Sequence, residues 1–240
     1  MKAKQQIIAG VKIVTLSRPV ALKSENETVA LIHETPNGFT SAVLTSLVNP
    51  KVKNSEKLNR EALHSFKDLL MNYNPARAAH LWGEKFYDEY NMFRHQNPLI
   101  AATLTQVDVV NNMAHLYRIA DSSLWAHQDD GWVNIFPETM LTSRGDKILS
   151  DILKNSEVDS WQERMEKLDD LSLWQYPLMG LSESPVLGYK RIPFNELHTI
   201  ILSSAESKLT VEDVVHISET KIQDIVLPEK ASTVIIIRNS

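Results

Sequence analysis

Two amphipathic helices set back to back, hinged at Asn74-Pro75, divide two groups of β-patterned segments, and this order constrains the fold more than any other feature of the chain. In the first helix Leu58, Ala62, Phe66, Leu69, Leu70 and Tyr73 share one face. Asn74 then supplies an N-cap and Pro75 the first position of the second helix, where proline's missing N–H is not needed. The second apolar stripe is Ala79, Trp82, Phe86, Tyr90 and Phe93, and it stops near Asn97-Pro98. A helix with one apolar stripe must bury it against another layer, and the flanking segments offer sheets.

Ile7 to Leu16 reads as one strand, Glu27 to His33 as a second and Phe39 to Val48 as a third. Between the last two, Thr35-Pro36-Asn37-Gly38 is a turn in which Gly38 is expected at positive φ. After the helices come Ala101 to Val110, Met113 to Ile119, Ser123 to His127 and Trp132 to Phe136. Asn111-Asn112 and Asp129-Asp130-Gly131 are turns within this run, which is expected to form a four-stranded antiparallel meander. Residues 143–170 read as a charged helical segment and residues 171–188 as a Pro- and Gly-containing loop. The last elements are His198 to Ser203, a helix opened by the near capping box Thr210-Val211-Glu212-Asp213, and Ser232 to Arg238. No repeat or long linker interrupts this order. The expected fold class is α+β, two stacked antiparallel β-sheets flanked by helices, in one domain over residues 1–240 with an insertion at about 143–188.

Composition removes several functions. With 240 residues, 43% of them hydrophobic, the chain can fill a core. The absence of cysteine excludes disulfide scaffolds, thiolate-held zinc, iron–sulfur clusters and thiol nucleophiles. The net charge is −5, and the seven Lys and Arg against three Glu in residues 1–53 are spread over several strands, so no nucleic-acid partner is expected. Only a four-residue apolar run follows Met1-Lys2-Ala3-Lys4-Gln5-Gln6, and no stretch approaches ~18 apolar residues, so a cytoplasmic protein without a membrane anchor is expected.

Common catalytic patterns are missing as well. Gly180-Leu181-Ser182-Glu183-Ser184 lacks the last glycine of a nucleophile elbow and has no strand leading into it. With Lys2 after Met1, an N-terminal Thr or Ser nucleophile is not expected. Seven scattered glycines cannot form a phosphate-cradling loop, and no two of the eight histidines stand three or four apart as metal ligands on a helix would. Trp82, Phe86, Tyr90 and Phe93 read as sheet-covering residues, and Trp125 and Trp132 as a pair packing across a hairpin.

Six segments in order do resemble a known family. Ala101-Ala102-Thr103-Leu104-Thr105-Gln106-Val107 followed by Ala114-His115-Leu116-Tyr117-Arg118-Ile119-Ala120-Asp121-Ser122 is similar to the small-Thr-apolar strand, hairpin and Gly-Asp-Ser of the metal-dependent type 2C protein phosphatases. Trp125 to Phe136 resembles the strand, acidic-Gly turn and strand that follow. Thr199 to Glu206 resembles the apolar strand ending in Ser-Asp-Gly, and Glu229 to Arg238 the closing Asp-Asp-x-Thr strand. At the front, Glu25-Asn26-Glu27-Thr28 followed by Val29-Ala30-Leu31 resembles Asn-Glu-Asp plus a strand, and Ala42 to Ser46 the strand ending in Asp-Gly. The resemblance implies an α-β-β-α sandwich.

The departures fall on the residues that would do the chemistry. Active members hold two divalent metals through carboxylates, with a water between them that attacks phosphorus. Here Thr28 stands at the first Asp, Thr45 or Ser46 at the bridging Asp, and Ala205 at the Asp of Ser-Asp-Gly. Glu27 and Glu229 are the residual acidic residues, and Asp121 matches a scaffold position. Two dications 4 Å apart repel by about 16 kcal/mol at an effective dielectric of 20, four times the value for unit charges, so two glutamates without the bridging Asp do not suffice. Glycine is also gone at Ala120, at Glu206 and at Ser46 or Leu47, so the backbone need not approach a phosphate there. The sequence is therefore expected to encode a catalytically inactive relative, of bacterial or phage type, that binds or regulates a protein partner without metal or other cofactor. Trp161 in the helical insertion and Trp174 and Tyr176 in the following loop are the expected recognition residues. The alternative is an active phosphoester hydrolase using Mn or Mg at a rearranged site drawn from Asp121, Asp129, Asp130 and Asp146.

Overall fold

The computed structural model describes residues 2–18, 26–47, 55–90, 99–119, 122–137, 188–204, 209–227 and 233–239. The helices form at the expected break, α1 over Ser55–Asn72 and α2 over Pro75–Tyr90. Asn74 Oδ1 accepts from the Arg77 N–H at 2.9 Å, which caps α2 as the sequence implies. Phe66 and Trp82 meet edge to face with centroids 6.3 Å apart, and the indole N–H donates to the Ala62 carbonyl at 3.0 Å. Tyr73 does not share the buried stripe: it follows the end of α1 and is 48% exposed. Phe93 and the side chains of Phe86 and Tyr90 lie outside the described residues.

The segment read as one strand at the front is a hairpin, β1 (Lys2–Ile8) and β2 (Val11–Ser17). Ala9 and Gly10 take φ of 49° and 80°, a two-residue reversal of type I′. Alanine rarely adopts that conformation, so an apolar run containing it gives little sign of a turn. β3 (Asn26–Thr35) and β4 (Gly38–Leu47) pair as expected, but Gly38 is not at positive φ. A Cβ there would lie 2.0 Å from the Val107 carbonyl oxygen, so glycine is required by the close approach of the next strand. That strand, β5 (Leu99–Asp108), together with β6 (Met113–Ile119) and β9 (Gly188–Pro193), completes a five-stranded sheet ordered β3-β4-β5-β6-β9.

The remaining strands, β7 (Leu124–Gln128), β8 (Gly131–Asn134), β10 (Thr199–Ser203) and β11 (Thr233–Arg238), join β1 and β2 in a six-stranded sheet ordered β1-β2-β11-β10-β7-β8. The expected four-stranded meander is therefore divided, with β5–β6 in one sheet and β7–β8 in the other. The chain crosses over just after β6, where the Ser122 hydroxyl reaches the Ala102 and Ile119 carbonyls at 2.8 and 3.2 Å. β9 was hidden in the sequence because Tyr189, Lys190 and Arg191 in its middle are all exposed, so it lacks the alternation of a half-buried strand. Residues 143–187 lie outside the described residues.

Four layers result. α1 and α2 cover the outer face of the five-stranded sheet through Phe66, Leu70 and Trp82 against Leu31, Leu44 and Leu104. α3 (Val211–Glu219), opened by a complete capping box between Thr210 and Asp213, covers the other sheet through Val214 and Ile217 against Val14, Ile201 and Ile236. Between the sheets lies a third cluster that includes Ile13, Phe39, Val43, Val107, Leu202 and Ile235. Among the described residues no helix is long and apolar enough to cross a membrane.

A hydrogen bond joins the sheets through this inner layer: Thr103 Oγ1 on β5 donates to the Ser203 carbonyl at the end of β10, at 3.0 Å and fully buried. Two residues along β5, Thr105 faces its cross-strand neighbour Ser41, and among the described residues neither buried hydroxyl has a partner. Substitutions here have opposite signs. Thr103→Val removes a buried hydrogen bond between the sheets and is expected to destabilise the protein by about 0.5–1.5 kcal/mol, whereas Thr105→Val removes a hydroxyl that bonds to none of the described residues and is neutral or stabilising. Urea denaturation of the two variants measures both.

Candidate functional site

Alternate residues of each inner strand face the opposite sheet, and on several strands those at one end of the sandwich carry hydroxyls. On β2 the series runs Val11, Ile13, Thr15, Ser17, and on β11 it runs Ile237, Ile235, Thr233. On β10 it ends at Ser204, on β3 at Thr28 and on β4 at Thr45. Registers bring these ends together: Ser17 is opposite Thr233, Thr28 is opposite Thr45, and the Ser204 N–H donates to the Thr233 carbonyl at 3.1 Å. Thr28 Oγ1 and Thr45 Oγ1 share a hydrogen bond of 3.3 Å. Thr45, Thr103 and Ser204 are fully buried and Thr233 nearly so. Ser203 Oγ donates to the Ser123 carbonyl at 3.1 Å, which ties β10 to the crossover.

Thr28 and Thr45, taken from the sequence as degenerate metal positions, thus meet at this end. Glu27 sits beside them in β3, opposite Ser46, with its side chain outside the described residues. Asp121, Ala205 and Glu229 are also outside them. A pair of divalent cations needs anionic oxygens, and the alcohols that the described residues offer here do not fit it. Among the described residues no group of three or more His, Asp or Glu could hold a metal ion.

Of the alternative carboxylate set, Asp129 and Asp130 are among the described residues. Asp129 and Asp130 occupy the β7–β8 turn at the opposite end of the sandwich, and Asp146 is outside the described residues. At that far end His198 Nε2 meets Asp129 Oδ1 at 2.8 Å, and the His127 ring lies 5.6 Å from His198 and 5.1 Å from Trp132. Sequence spacing could not reveal this histidine pair, because β7 and β10 are distant in the chain and adjacent in the sheet. Trp125 and Trp132 lie on one face of their hairpin, in the cluster under α3.

A second polar group missed in the sequence joins β6 to β9. His115 Nδ1 and the Tyr189 hydroxyl are 2.9 Å apart, and Tyr117 packs against Tyr189 at 5.1 Å. Burial, and then the Arg191 guanidinium, hold His115 below its ordinary value. Burial, helped by the Tyr189 phenol, pushes Tyr117 up to about 12.

No protein-family model matches the sequence, and no curated protein is significantly similar to it. Solved structures are similar in fold. The serine/threonine phosphatase Stp1 from Staphylococcus aureus matches with a TM-score of 0.59 at 10% identity, over 96% of this chain and 94% of that one. PppA, a key regulatory component of T6SS in Pseudomonas aeruginosa, matches with a TM-score of 0.62 at 12% identity, over 95% and 97%. The catalytic domain of the serine/threonine protein phosphatase PstP, in complex with two manganese ions, matches with a TM-score of 0.54 at 10% identity, over 95% and 97%.

The hydroxyl end makes its own test. Thr45→Asp places a carboxyl at a fully buried position, where an uncompensated charge is expected to cost about 3 kcal/mol at neutral pH. Burial raises the folded-state pKa, so the loss is least in acid and grows as pH rises through the carboxylate range, which denaturation at several pH values measures. Tyr117 acts at the other extreme of pH. Its folded pKa lies above the ordinary 10.0, so its stabilising contribution is complete below 10 and is lost as pH rises toward about 12, and in Tyr117→Phe this component of the alkaline loss is absent.

Proposed function

We propose that this chain, whose fold is that of the type 2C protein phosphatases, is a catalytically inactive relative that serves as a protein-binding or regulatory module. The observation that supports this reading most is the Thr28–Thr45 hydroxyl pair, 3.3 Å apart at positions where the resemblance implies metal-binding aspartates. Neutral oxygens at that spacing leave the repulsion between two dications without an offset, and the sandwich persists through interactions that need no ion. The partner is a protein, with Trp161, Trp174 and Tyr176 as the aromatic anchors. No metal or other cofactor takes part.

A chromogenic phosphoester offered with added manganese is expected to show no turnover above buffer. Turnover that disappears in Glu27→Ala or Asp121→Ala would overturn the proposal.

A further inference from the structure

β1 is an edge strand whose only strand neighbour among the described residues is β2. Residues 2–5 are exposed on both faces of the sheet, and Ile7 is 68% exposed. Seven consecutive residues pair with β2 without a bulge or a proline, so the outer edge, which no strand covers among the described residues, is regular. Edges of this kind are templates for another strand.

The hairpin geometry identifies which groups that edge presents. A two-residue type I′ turn closes on a hydrogen-bonded pair, here Ile8 and Val11. Ile8, Gln6, Lys4 and Lys2 therefore bond inward to β2, and the N–H and C=O groups of Ala3, Gln5 and Ile7 point away from the sheet.

We propose that β1 pairs antiparallel with β1 of a second copy of this chain, about a twofold axis at Gln5, so that the two six-stranded sheets become one continuous sheet. This register uses the whole strand. The outward groups meet as hydrogen-bonded pairs, Gln5 with the second copy's Gln5 and Ala3 with its Ile7, and the exposed Ile7 gains an apolar neighbour. Lys4 faces Gln6 and Lys2 faces Ile8, so no lysine stands opposite a lysine. Like charges directly opposite are destabilising, and here the two Lys4 ammonium groups are only diagonal neighbours at ~7–8 Å. Lysines commonly guard an edge against partners, yet in this register the guard is incomplete. The strand-to-strand contact is small, so the dimer is weak, and added salt strengthens it by screening the lysines.

Because the chain has no cysteine, a single introduced thiol reports the register. In Gln5→Cys the two thiols fall on the axis, with Cα atoms about 5.5 Å apart, within disulfide range. In Ala3→Cys each thiol is displaced from its counterpart by four residues along the strand, about 13 Å, out of reach. Mild oxidation is expected to convert Gln5→Cys to covalent dimer and to leave Ala3→Cys monomeric. Sedimentation of the unmodified protein should show a monomer–dimer equilibrium that shifts toward dimer with salt. Gln5→Pro, which removes one outward N–H per chain and no bond to β2, should weaken the dimer by roughly tenfold or more with an unchanged melting temperature. Unmodified protein that stays monomeric at all concentrations, including the case where an acidic strand of another protein binds this edge instead, overturns the proposal. Equal crosslinking of the two cysteine variants overturns it too.

Discussion

The two sheets must touch along their whole length, and that requirement changes character from one end to the other. Over most of the layer the contact is apolar, with Ile13, Phe39, Val43 and Ile235 excluding water. At the hydroxyl end the Thr103–Ser203 bond takes over. A buried backbone carbonyl needs a donor, and a threonine from the facing strand supplies one without bringing a charge into the layer. The crossover after β6 and the end of β10 are fastened nearby by serine hydroxyls to backbone carbonyls. Among the described residues the carbonyls at this end are bonded by neutral hydroxyls, and the Arg118 guanidinium, on the strand next to Thr103, donates to the Phe136 carbonyl at 2.7 Å. In a dinuclear enzyme the corresponding end would have to hold strongly repelling cations.

On the reading proposed above, this difference is how a catalytic scaffold would outlive its chemistry. Ligand carboxylates and their ions stabilise each other, so losing the ions alone would leave buried like charges in contact. Replacing carboxylate by hydroxyl would remove both parts of the interaction together, and the Thr28–Thr45 pair shares a hydrogen bond of its own. The fold can then be kept for its surface. At identities of 10–12% to these solved structures, the shared property is the layer order and not the residue set.

Much of the architecture was readable in the sequence because its signals are local. The Asn74-Pro75 boundary, the Thr210–Asp213 capping box and the apolar stripe through Phe66 and Trp82 depend on neighbours within a turn or two. The misreadings have non-local or negative causes. Ala9-Gly10 reverses the chain with a residue that seldom does so, and Gly38 is glycine because Val107 approaches from another strand. Nothing in the alternation of β5 to β8 says that the second hairpin belongs to the other sheet, since both sheets bury one face against the same layer. In the candidate site, Thr28 and Thr45 were found through the resemblance, whereas the contribution of Thr103 and the meeting of His127, His198 and Asp129 depend on strand order that no spacing encodes.

That strand order also sets a timetable for the chain. β11 is inserted between β2 and β10, so Ile237 pairs with Ile13 on one side and with Ile200 on the other. Until residues 233–238 leave the ribosome, β2 and β10 each present an apolar flank with open backbone groups, and the six-stranded sheet cannot exist. Assembly of that half must wait for β11, and a nascent chain stalled short of this point would carry two adhesive edges in place of a finished core.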